Sequence, residues 1–68
     1  MPKYCVNINT DAQGDHEVHK ENCPWSPNTE NRIDLGYHSN CQSAVKEAKK
    51  YFNNVNGHKY CAEECHTT

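Results

Sequence analysis

"SNCQSAVKEAKKYF", residues 39–52, is the stretch on which the fold turns. Cys41, Ala44, Val45, Ala48 and Phe52 recur at spacings of three and four, the signature of one apolar stripe along a helix. Lys46, Glu47, Lys49 and Lys50 occupy the opposite side and read as a solvated face. Ser39 and Gln42 have the spacing of a capping box, in which the hydroxyl takes an orphan amide and the glutamine reaches back. "NNVNG", residues 53–57, then stops the helix, because Asn and Gly tolerate the conformations that end one. A helix is therefore predicted over residues 39–52.

A single helix with one apolar face needs a partner layer. "RIDLGY", residues 32–37, sets Ile33, Leu35 and Tyr37 on one side of a short strand. "KYCVNIN", residues 3–9, alternates Tyr4, Val6 and Ile8 against Lys3, Cys5, Asn7 and Asn9, the pattern of a half-buried strand. "TDAQG" supplies turn chemistry, and residues 15–20 return with Val18 as the one clear inward residue, which makes a hairpin. "ENCPWSPNTENR", residues 21–32, contains two prolines and several turn formers. It reads as a loop, with Trp25 folded back as its anchor. The expected fold class is α+β: one small two-layer domain over residues 1–68, a three-stranded antiparallel sheet with one helix packed on it.

The supply of core is thin. Val6, Ile8, Val18, Ile33, Leu35, Val45, Phe52 and Val55 are the only Leu, Ile, Val or Phe residues in 68. Domains of this size seldom gain more than about 3–5 kcal/mol from their cores and recruit a staple. The net charge is only -2, so disorder by self-repulsion is not expected. Five cysteines and five histidines offer the means of stapling.

"HKENC" puts His19 four residues before Cys23, and "CAEEC" puts Cys61 four residues before Cys65. Each pair can present two soft donors to one point, and two such pairs make the four ligands of a structural zinc site. Imidazole and thiolate select zinc over hard cations. The metal set read from the sequence is thus His19, Cys23, Cys61 and Cys65. His58, three residues before Cys61 with x2 spacing, is a rival for the second pair, and Cys41 and His66 are further alternatives. Cys41 sits on the apolar stripe and fits core packing first, with a metal or disulfide role second. Cys5 is out of phase with the inward face of its strand and is expected to be inert.

Two resemblances accompany these motifs. His19-x3-Cys23, the middle "DLGYHSNCQSAVKEAKK" and the Gly57-x3-Cys61 ending resemble the small zinc-binding domain of Ada-type alkylation-repair proteins. The resemblance implies zinc held by His19 and Cys23 with Cys61 and Cys65, a thiol methyl-acceptor role and DNA binding. A histidine replaces the family's first cysteine, and the last spacing is x3 rather than x2. The whole chain also resembles a group of short bacterial proteins of unknown function that share "GDHEVH" and C-x3-C-H-T.

Seven basic against nine acidic residues create no polycationic field, so nucleic acid is not an expected partner. No stretch approaches the roughly 18 apolar residues needed to cross a bilayer. "MPKYCVNINT" contains no apolar run of the secretory kind, which makes a cytoplasmic setting the expectation. A shaped substrate pocket has little room here, so no enzymatic activity is expected. The function read from the sequence is a noncatalytic, monomeric, zinc-stapled module that binds a protein partner. The alternatives are a disulfide-stapled protein without metal, and a nucleic-acid-binding or methyl-acceptor domain on the Ada-type pattern.

Overall fold

The computed structural model describes residues 1–67. Strand β1 (Lys3–Asn7) pairs antiparallel with β2 (His16–Lys20), with Tyr4 opposite Lys20, Cys5 opposite His19 and Val6 opposite Val18. The turn between them is organised by Asp11, whose Oδ1 accepts from the amides of Gln13 and Asp15 at 2.9 Å each. Strand β3 (Arg32–Tyr37) pairs antiparallel with the other edge of β1. Gly36, at φ 81°, serves a bulge there: Tyr4 faces Gly36 while Cys5 faces Asp34, so Leu35 is the extra residue.

Helix α1 (Cys41–Ala48) crosses the face formed by Tyr4, Val6, Val18, Ile33 and Leu35. Cys41, Ala44 and Ala48 are buried on it, and Val45 and Phe52 pack at its margin. The helix is shorter than expected, and its cap lies one residue later. Asn40, not Ser39, accepts from the Ser43 amide at 2.8 Å. Residues 49–52 continue only as a turn, closed by the Tyr51 and Phe52 amides on the Ala48 carbonyl. Phe52 stacks on the His16 ring at 3.7 Å instead of entering the core.

The expected three-stranded antiparallel sheet is corrected to a four-stranded mixed one. A short strand β4 (Val55–Gly57) pairs parallel with β2, which gives the order β3-β1-β2-β4. Its register sets His16 beside Val55 and Val18 beside Gly57. The strand was hidden in the sequence because Val55 is its only large apolar residue, and its pairing rests on backbone groups. A final 3-10 turn, Glu63–Cys65, packs against α1 and β4. There Cys65 meets Cys41 in a disulfide, so the first residue of the helix is tied to the C-terminal turn. Gly57 makes this packing possible: a Cβ on it would lie 2.6 Å from Cys65 Cβ and 2.7 Å from the Ala62 carbonyl oxygen.

Candidate metal centre

The odd-numbered residues of β1 and β2 point away from the helix. Cys5 and His19 therefore share the second face of the sheet, and both are fully buried. The loop after β2 covers them. It begins as a tight turn, with the Cys23 amide donating to the Lys20 carbonyl at 3.0 Å. This turn folds the chain back and carries Cys23 under the end of the strand.

Parallel pairing supplies the opposite side. Val18 lies beside Gly57, so the next residues along, His19 and His58, come side by side; their ring centroids are 4.4 Å apart. The His58 amide donates to the Val18 carbonyl at 3.0 Å, which holds the residue against β2. The chain then curls, and the Ala62 amide donates to the His58 carbonyl at 2.9 Å. That single turn swings Cys61 back over the two imidazoles.

The outcome is a cluster of four donors. One ligand atom from each of His19, Cys23, His58 and Cys61 lies within 4.8 Å of every other. Cys61 Sγ is 3.7 Å from His19 Nδ1 and 3.6 Å from His58 Nδ1. In a tetrahedral zinc site the bond lengths require donor–donor edges of about 3.3–3.8 Å. Both measured sulfur–nitrogen edges meet this requirement. With Nδ1 turned inward, His19 Nε2 lies 3.9 Å from Glu17 Oε1, beyond hydrogen-bond distance, so the carboxylate is a neighbouring charge on the outer side of the ring.

Burial shapes the protonation of the group. Desolvation, with the neighbouring His58 adding to it, lowers His19 from 6.5 to about 4, so its ring is neutral and able to donate a lone pair at neutral pH. Burial and the adjoining Cys23 thiol push Cys61 up to about 12. Two thiolates side by side in so dry a place need a cation between them. A divalent ion on two thiolates and two neutral imidazoles leaves a net local charge of about zero, which suits a buried site better than the three-thiolate set.

Aromatic rings wall the outer side. Trp25 lies 5.7 Å from the His58 ring and stacks on Tyr60 at 4.8 Å. Trp25 was expected to anchor its loop against the core. It is instead 58% exposed and shields His58 from the side of the loop.

The set read from the sequence differs from the cluster in one member. His19, Cys23 and Cys61 come together as expected, while Cys65 is bonded to Cys41 and His58 stands in its place. The x2 spacing of His58 and Cys61 was the signal for this choice. Cys41 was placed first in the core, and it is both buried there and in the disulfide. His66, a further alternative, turns its Nδ1 to the Gly57 carbonyl oxygen at 3.0 Å. Cys5 lies close to the cluster in sequence register but its sulfur rests 3.3 Å from Ser26 Oγ, and it is not one of the four. No helix among the described residues is long and apolar enough to cross a membrane. Comparison with protein-family models, curated proteins and solved structures finds no match, so the functional reading rests on this geometry.

Proposed function

We propose that the chain is a noncatalytic module in which His19, Cys23, His58 and Cys61 hold one zinc ion whose role is structural. The convergence of four soft donors within 4.8 Å carries this reading. All four donors come from the protein, which is the closed set of a structural zinc rather than the three-ligand set of a catalytic one. The donors derive from two distant segments, the end of β2 with its following turn and the end of β4 with its own. A metal between them clips the parallel β4 onto the sheet, where side-chain packing contributes little. Binding is then coupled to folding, because metal affinity for the folded chain adds directly to its stability.

The Cys41–Cys65 disulfide is a second and independent staple. Closing a loop over a sequence separation of 24 is worth about 3–4 kcal/mol in the chain-entropy account. Metal and disulfide together make up for a core whose largest fully buried side chains are two valines and a cysteine.

Cobalt titration of the purified chain tests the zinc reading. Cobalt should develop the intense visible bands of a tetrahedral, sulfur-ligated centre, and zinc should displace it at about one equivalent per chain. Cys23→Ser and Cys61→Ser should each remove the bands. A chain that takes up neither ion with its Cys23 and Cys61 thiols reduced sinks the reading.

A further inference from the structure

The four donors are unequally protected. His19, Cys23 and His58 are buried, whereas Cys61 is half-buried. Cys61 also contributes to the wall of an open groove of about 640 Å³, bordered by Pro2, Tyr4, Lys20, Tyr60 and Glu64. A small solute entering that groove meets Cys61 before any other member of the cluster. One further thiol is within its reach: the Cys23 sulfur, at no more than 4.8 Å. The remaining sulfurs are engaged elsewhere, Cys41 with Cys65 and Cys5 against Ser26 Oγ.

We infer that Cys61 and Cys23 form a peroxide-responsive pair, in which a small hydroperoxide entering by the groove converts the two metal-ligating thiolates into a disulfide and so discharges the metal. The inference rests on the reading of the cluster as a metal centre. Zinc has no redox chemistry of its own, so oxidation at such a site falls on the sulfurs. The Cys61 thiolate attacks one oxygen of hydrogen peroxide; the S–O bond forms, the O–O bond breaks, and hydroxide departs. Cys23, as a thiolate, then attacks the Cys61 sulfur; the S–S bond forms as the S–O bond breaks, and a second hydroxide departs. The two thiolates give up two electrons, the peroxide accepts both, and the hydroxides take protons from solvent to become water. Only two imidazoles then remain as ligands, and two nitrogen donors do not retain zinc against its usual four. The nearness of Cys23 also explains why the reaction stops at the disulfide: a resolving thiol captures the sulfenic acid before further oxygen is added. A dithiol reductant reverses the change.

The test uses the full chain with Cys41–Cys65 intact. Zinc content is measured first, and that measurement alone judges the metal centre. Hydrogen peroxide is then added while a chromogenic chelator reports free zinc and mass spectrometry maps the thiols. About one zinc per chain should be released for each Cys23–Cys61 disulfide formed, with the chain lighter by about 2 Da. A dimedone-type trap added early should label Cys61, and Cys5→Ser should respond like the parent. If zinc binds but peroxide leaves it in place, the inference is overturned and the metal centre stands. Overoxidation of Cys61 with Cys23 still reduced, early labelling of Cys23, or a bridge from Cys61 to Cys41 or Cys65 overturns it equally.

Discussion

At the scale of single residues, the decisive exchange is between His58 and Cys65. Both are spaced to pair with Cys61, His58 at x2 and Cys65 at x3, and although x2 points to His58, spacing alone does not decide between them. The choice is made by a turn: the Ala62 amide closes on the His58 carbonyl, and the Cys65 amide closes on that of Ala62 at 2.9 Å. The second closure carries Cys65 away to the helix. His58→Ala should therefore abolish tetrahedral cobalt bands, while Cys65→Ser should keep them and lose only the disulfide. Bands that survive the first change and vanish with the second would restore the set first read from the sequence. Gly57 is the other residue without a substitute. Two of the three atoms crowding a Cβ there are backbone, so relief requires the C-terminal turn to move. Gly57→Ala should cost at least about 1–3 kcal/mol by overpacking, read as a lowered denaturation midpoint. An unchanged midpoint would show that the turn does not rest on β4.

Among the elements, those built on side-chain burial were legible and those built on backbone pairing were not. Strands β1, β2 and β3 were visible because Tyr4, Val6, Val18, Ile33 and Leu35 supply an inward face. The helix was visible through Cys41, Ala44 and Ala48. Strand β4 offered only Val55 and was read as a helix stop, since a three-residue edge strand paired through amides and carbonyls leaves no periodicity. Its absence from the sequence reading is also why His58 ranked below Cys65, for nothing else sets His58 beside His19. The helix start gives a check at this scale. Asn40 caps the Ser43 amide, and the Asn40→Ala change should destabilise the fold by about 1 kcal/mol. Ser39→Ala should leave stability nearly unchanged. Chemical denaturation of the two variants separates them, and the reverse ranking would move the cap back to the position read from the sequence.

For the molecule as a whole, acid is the condition to which the stapled fold should be most sensitive. His19 binds a proton only near pH 4 when folded but near 6.5 when unfolded. Between these values the unfolded chain holds more protons, so stability falls as pH drops from about 6.5 to about 4 and levels off below. A coordinated metal strengthens the same trend, since protons compete for its ligands. Urea midpoints measured across this window should decline steadily, and a flat profile would mean that His19 is not held neutral. The two staples also interleave along the chain, because Cys41 lies between the two halves of the metal cluster and Cys65 lies beyond it. This arrangement has a mechanical meaning. When a metal-loaded chain is pulled by its ends, tension should pass through the proposed metal centre and bypass the disulfide until the metal–ligand bonds yield. Their rupture should then lengthen the fully extended molecule by about 65 Å before the disulfide bears load. Adding a chelator should abolish that step, making the metal the fuse and the disulfide the safety line behind it.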